Sequence, residues 1–316
     1  SLSGPKFVRD KDRKKTESVT FSILVRLTVE CNRNKRIMRK FYVFLLAVAV
    51  SVPVLSCAQT KMVRLTRYEG KRITGISAAG AFEVELNRDD RGKAVVEIAP
   101  EWEERLRFDL TPEGIVKVSV RSKDGKSLKG NEMKGKMKLK VWLPELQSVE
   151  LAGVCTAVCR GDFKGDRVKI DVTGVSRLWG LNLEAQEAEI TCSGVSKADL
   201  AVTAPQIKGK CMGCSTLAVH AEGRTSEFMA AGTSKIQLSG SAEESHLEAG
   251  GVSSVTAEDY KVARLHNVAA GVSHITSWAV DSIVSKAGGT SRIRYRGTPG
   301  FVDNRAGKPA TIRKIK

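Results

Sequence analysis

The chain has 316 residues, 41% of them apolar and 28% charged, a balance that can bury a sizeable core and that excludes both a disordered chain and a multi-span membrane protein. Its formal charge of +17 raises nucleic-acid binding, but residues 1–40 hold twelve Lys/Arg against four acids, +8 of that total, and the remaining basic residues are interspersed with acids. No concentrated basic tract is left to meet a nucleic acid, and none is expected to bind.

In chain order the first feature is a targeting segment. From Met38 the sequence reads MRKFYVFLLAVAVSVPVLSCAQT, a basic start, an apolar run from Phe41 and then a Pro and small residues, which is the grammar of a secretory signal peptide. The run to Leu55 is short for a spanning helix, which needs about 20 residues. Residues 1–37 then read as an upstream non-native extension and 38–57 as the signal peptide. Val54-Leu55-Ser56-Cys57 resembles the lipobox of bacterial lipoproteins, which implies acylation at Cys57; ordinary cleavage after Ala58 is the alternative. A lipid anchor would be the one membrane attachment, and the side of the outer membrane stays open.

Residues 61–150 alternate polar and apolar side chains at 81–86, 94–99, 115–120 and 137–143, which predicts strands, with a short helix around Glu101 to Phe108 and a Lys/Gly-rich loop over 121–136. This region reads as a less regular β cap, the part a solenoid needs to close its exposed end.

From Gly153 one pattern recurs eight times: GVCTA at Gly153, GVSRL at Gly174, GVSKA at Gly194, GCSTL at Gly213, GTSKI at Gly232, GVSSV at Gly251, GVSHI at Gly271 and GTSRI at Gly289. The spacings are 21, 20, 19, 19, 19, 20 and 18. Two residues before the glycine the column is small and apolar (Leu151 to Ala287), and four after it is apolar again (Ala157 to Ile293). The column one after, with Val154, Val175, Val195, Cys214, Val252 and Val272, also reads as inward. Three after stand mostly polar residues, among them Arg177, Lys197, Lys235, His274 and Arg292. A twenty-residue repeat with strand periodicity and no helical segment predicts an all-β, single-stranded parallel β-helix of about eight regular coils over 151–312, its turns about 4.8 Å apart. Its hand is expected to be right, by the crossover preference of parallel strands. The glycine would sit where the chain bends, and the column two after it (Cys155, then Ser176 to Ser291) would stack hydroxyls that satisfy one another.

The opening ITGISAAGAFEVEL (Ile73 to Leu86), the strand KLKVWLPELQSVEL (Lys138 to Leu151) and the G-V-S repeats resemble the putative auto-transporter adhesin, head GIN domain family of bacterial envelope proteins, over about 68–312. The resemblance implies a secreted or lipoprotein β-helix and leaves ligand and activity undefined.

Candidate sites are few. Seven equivalent serines without a paired His and acid read as structural. Cys211-Met212-Gly213-Cys214 has redox or metal spacing but lacks a second pair or neighbouring histidines, and Cys192, Cys211 and Cys214 read as inward core residues. Cys192 and Cys211 would be stacked neighbours, so a disulfide is an open alternative. The four histidines, His220, His246, His266 and His274, fall in different turns, and the acids Asp199, Glu222, Asp259 and Asp281 in scattered columns. No catalytic, metal or cofactor residue is therefore assigned. Trp179, Trp278 and Tyr295 could stack on sugars, and Arg177, Lys197, Lys235 and Arg292 could meet acidic glycans or lipid headgroups, or serve as a solvated edge that discourages aggregation. The expectation is a non-enzymatic envelope lipoprotein that binds a glycan or an envelope or host surface component. The alternatives are a carbohydrate-active β-helix of the polysaccharide lyase or hydrolase kind, or a purely structural periplasmic protein. Oligomeric state is not readable.

Overall fold

The computed structural model describes residues 62–120 and 137–315, all within the second of two compact units of the chain, Thr60–Lys316. The upstream extension, the signal peptide with Cys57 and the 121–136 loop lie outside the described residues.

The chain runs through β1 (Val63–Arg67), β2 (Gly75–Gly80), β3 (Glu83–Arg88), β4 (Lys93–Ile98), a single helical turn α1 (Pro100–Glu103), β5 (Leu106–Leu110), β6 (Ile115–Val120) and β7 (Met137–Leu143). The expected helix past Glu103 is instead β5. Leu106, Phe108 and Leu110 alternate with polar residues, and an antiparallel pairing sets Phe108, which is buried, opposite Val118. The cap is partly antiparallel, with β4 between β1 and β7 and β5 against β6, while β6 and β7 lie parallel to β2 and β3.

Within this region β2 and β3 already form a coil. They stack parallel on β8 (Ser148–Gly153) and β9 (Thr156–Arg160), with Gly80 opposite Gly153. The solenoid thus has about nine turns, and Gly80 is a further member of the glycine column. The coils continue through β10 (Asp162–Lys164), β11 (Arg167–Val172), β12 (Arg177–Glu184) and β13 (Glu187–Cys192). They then run through the long bent strands β14 (Lys197–Cys211), β15 (Thr216–Ala230), β16 (Lys235–Ala249), β17 (Ser254–Ala269) and β18 (His274–Ala287). They close with β19 (Arg292–Arg296), β20 (Phe301–Ala306) and β21 (Thr311–Lys314). From β8 onward every pairing is parallel and nearly in register.

The interior is built from even-numbered columns counted forward and back from the nearest repeat glycine. In one coil Leu217, Val219, Ala221, Phe228 and Ala230 are all at most 2% exposed, and each large apolar side chain so buried contributes about 1.5–3 kcal/mol. The column one after the glycine, read from sequence as inward, points out instead. Val154, Val175, Val195, Val252 and Val272 are 43–61% exposed, and Cys214 is exposed with them. The reason is parity. Side chains alternate across a strand, so residues two and four after the glycine can face in together only if the first faces out.

The residue two after the glycine is buried, but its hydroxyls do not bond to one another. Ser234, Ser253, Ser273 and Ser291 donate to the carbonyls of Cys211, Ala230, Ala249 and Ala269 in the preceding coil, at 2.8–3.2 Å. Each of these serines therefore ties its corner to the coil below, as a second donor to a carbonyl that already accepts a backbone N–H from the next coil.

Candidate functional site

Following the glycine corner, each coil lays down a strand whose outward residues stand five and seven places after the glycine. In the coils that start at Gly194, Gly213 and Gly232 these strands run in strict register, as Asp199, Ala218 and Gln237, then Ala201, His220 and Ser239. On either side the register breaks. In β12 Gly180, with φ +71°, is an extra residue between Trp179 and Leu181 opposite β14. In β17 one extra residue separates Thr256 from Asp259 opposite β16. Bulges bend the strands that carry them, and between the two lies a shallow groove of about 450 Å³.

Its lining is rich in hydrogen-bonding groups: Asn182, Asp199, His220, Gln237, Ser239 and Thr256, with Glu258 and Asp259 at the β17 end. His220 Nδ1 lies 3.0 Å from Ser239 Oγ, and its Nε2 lies 3.6 Å from Glu222 Oε1, while the other carboxylate oxygen, Oε2, accepts from Ser241. This is a serine–imidazole–carboxylate row. Acyl-transfer chemistry needs in addition an oxyanion site made by converging donors, whereas the row stands in a regular ladder with His220 opposite Ser239 and half-exposed side chains.

The three aromatic candidates separate. Tyr295 is buried. Trp278 is covered, with the Arg296 guanidinium 4.1 Å from its ring centroid and Lys261 Nζ at 5.8 Å, while Arg296 also reaches Asp259 at 3.6 Å. Trp179 is 37% exposed and sits beside Asp199, at the groove's β12 end.

The remaining sequence candidates are placed as follows. Cys211 is buried and Cys214 exposed, so the two ends of the C-M-G-C run point to opposite sides of the chain. Cys192 and Cys211 are stacked in register as free thiols, and burial pushes the Cys192 thiol up to about 12, as it does that of Cys159. His246 and His266, apart in sequence, are brought into register with ring centroids 6.5 Å apart beside Glu227 in a second groove of about 430 Å³. Among the described residues no group of three His, Cys, Asp or Glu could hold a metal ion. Asp281 pairs with neither groove's lining.

The groove between the two bulges was not foreseen, yet its signal is in the spacing of the glycines. The coils of 20 residues that start at Gly174 and Gly251 carry the extra residues, and the three coils of 19 between them form the floor.

The family model described as "Putative auto-transporter adhesin, head GIN domain" matches residues 72–213 and again 199–299. The chain belongs to this family. Solved structures similar to the head GIN domain protein include one described as a putative adhesin from Parabacteroides distasonis, with TM-score 0.60 and 16% identity over 81% of this chain and 98% of that one. A second, described as a putative adhesin from Parabacteroides merdae, has TM-score 0.53 and 15% identity over 82% and 98%. A third, described as a putative lipid binding protein from Parabacteroides distasonis, has TM-score 0.58 and 15% identity over 82% and 98%. At these identities the likeness speaks for the fold. No curated protein matches the head GIN domain protein.

Proposed function

We propose that the chain is a non-enzymatic adhesin of the bacterial cell envelope that takes a glycan along the groove between the β12 and β17 bulges. The observation that carries this reading is the groove itself. It is an open, extended trough with amide, hydroxyl, imidazole and carboxylate groups at strand spacing and Trp179 exposed at one end. Sugars offer hydroxyls to such groups and a C–H face to an indole ring.

Within the carbohydrate-active alternative, glycoside hydrolysis generally uses two carboxyl groups about 5–9.5 Å apart. Asp199 is separated from the Glu258 end by the three strand steps from β14 to β17, roughly 14 Å at 4.8 Å each. Asp199 and the Glu258 end therefore do not form such a hydrolytic pair.

The test is a screen of glycans and soluble polysaccharides on the purified chain, with released sugars assayed in the same wells and Trp179→Ala run in parallel. Binding without product, weakened about tenfold or more in Trp179→Ala, supports the reading. Product release overturns the non-enzymatic part, and silence in both assays favours a purely structural role. Anchoring in the outer membrane through acylated Cys57 belongs to the same proposal, and mass spectrometry of the mature N-terminus tests it: an unmodified start after Ala58 rules the anchor out.

A further inference from the structure

We infer that the glycine-bearing edge of the solenoid is a docking surface for a bilayer whose headgroups carry phosphate. The inference does not depend on the groove, since it rests on columns nearer the glycine corner.

Two observations coincide along this edge. The first is its composition. At the 24 positions formed by each of the eight repeat glycines and its two chain neighbours there is no charged side chain. The corner is instead a ridge of glycine and small residues from which Val154, Val175, Val195, Val252 and Val272 stand 43–61% exposed. The second is the next outward column, three after the glycine. It reads Thr156, Arg177, Lys197, Thr216, Lys235, Ser254, His274, Arg292, with cations and hydroxyls but no acid. At the C-terminal end it widens through Arg294 and Arg313, which are stacked in register.

None of Arg177, Lys197, Lys235, Arg292, Arg294 and Arg313 has a carboxylate partner among the described residues. The face of the solenoid beyond the other side of the corner behaves differently. There Arg167, Lys169, Lys208, Lys210 and Arg264 each lie within 4 Å of an acid. Those five cations have acid partners, whereas among the described residues the cations of the column three after the glycine have none.

Protection of a sheet edge does not account for the unpaired column. Arg177, Lys197 and Lys235 stand on β12, β14 and β16, each paired on both sides, so no open edge is there to guard. In-register like charges, Arg177 beside Lys197 and Arg294 beside Arg313, repel until an anion arrives. From Arg177 to Arg313 these basic groups span seven strand steps, about 34 Å. A soluble polyanion would use the cations and leave the valines in water. A lipid surface uses both, the apolar ridge at the boundary of headgroups and acyl chains and the cations on the phosphates.

The test is co-sedimentation of the purified full chain carrying Cys57→Ser, so that no acyl anchor contributes, with phosphatidylcholine vesicles and with vesicles of seven parts phosphatidylcholine to three of phosphatidylglycerol. Binding should be at least tenfold stronger on the anionic vesicles. Lys197→Gln/Lys235→Gln should reduce it about 30-fold. Val195→Ser/Val252→Ser should reduce it severalfold at unchanged charge. Lys208→Gln/Lys210→Gln, the same charge change on the other face, should leave it unaltered. All of these side chains are exposed or half-exposed, so circular dichroism should be unchanged. Equal binding to both vesicles, or equal loss in the two lysine pairs, overturns the inference. So does a valine pair without effect combined with full competition by dextran sulfate, which would make the column a polyanion site instead.

Discussion

Replacing Gly232 by Ala tests what holds one coil on the next. Gly232 has φ +79°, and a Cβ there would lie 2.8 Å from the Gly213 carbonyl oxygen and 3.2 Å from its nitrogen. That same oxygen accepts the Thr233 N–H at 2.8 Å. The left-handed conformation costs an alanine about 1–2 kcal/mol, and crowding the acceptor weakens a hydrogen bond worth about 1 kcal/mol. The stiffer unfolded chain offsets some 0.4–1 kcal/mol. The net expectation is a loss of about 2 kcal/mol, concentrated in the interface between neighbouring coils because solenoid stability is a sum of such interfaces. Urea unfolding followed by far-UV circular dichroism measures it. Gly250→Ala is the built-in comparison: it lies 18 residues further along the chain, in the next corner, with nothing within 4 Å of its added Cβ and no left-handed φ, so it should be neutral or slightly stabilising. If Gly232→Ala unfolds at the wild-type midpoint, or if both variants lose equally, close stacking at the corner is not what sets the stability.

Two further expectations concern the buried thiols and the buried phenol. In the folded chain a thiol reagent at about pH 8 should label Cys214 and spare Cys155, Cys159, Cys192 and Cys211 until denaturant is added, because those four are buried as free thiols; immediate labelling of Cys211 would contradict its inward placement. Burial also pushes Cys159, Cys192 and Tyr260 up to about 12 from ordinary values of 9.0 and 10.0. The unfolded chain therefore loses these protons first, so stability should hold below about pH 9 and fall as pH rises from there towards about 12. Urea midpoints across that range should decline, more gently in Cys192→Ala, and a midpoint constant up to pH 11 would show that these groups do not stay protonated in the folded state.

Much of the fold was legible in the sequence because a repeat multiplies weak signals. Leu151, Val172, Cys192 and their equivalents each say little, but as a column they define an interior, and the strands at 94–99, 115–120 and 137–143 follow from alternation alone. The first coil escaped notice because Phe82 stands where later coils have serine, hiding Gly80 from the G-x-S pattern. The valines after the glycines misled for a physical reason: their β-branched character argues for strand, not for burial, and only the parity set by the corner decides which way they point. The groove and the His246–His266 pair depend on which residues become lateral neighbours. A single inserted residue such as Gly180 shifts that relation without altering the composition.

The serine clasp has a consequence for how such a molecule can change length. From Ser234 onward each corner serine bonds to the coil beneath it through the same two atoms, its Oγ and the carbonyl oxygen two residues before the preceding glycine, as in Ser234 to Cys211 and Ser253 to Ala230. Removing a complete 19-residue unit, Gly213 to Ala231, would bring Ser234 over Cys192, a partner of the same kind as the one it lost. The rod can thus be shortened or extended in steps of about 4.8 Å with its joints intact. In the living cell this makes the distance between its two ends a quantity that whole-unit duplication or loss can adjust, as a spacer of graded reach.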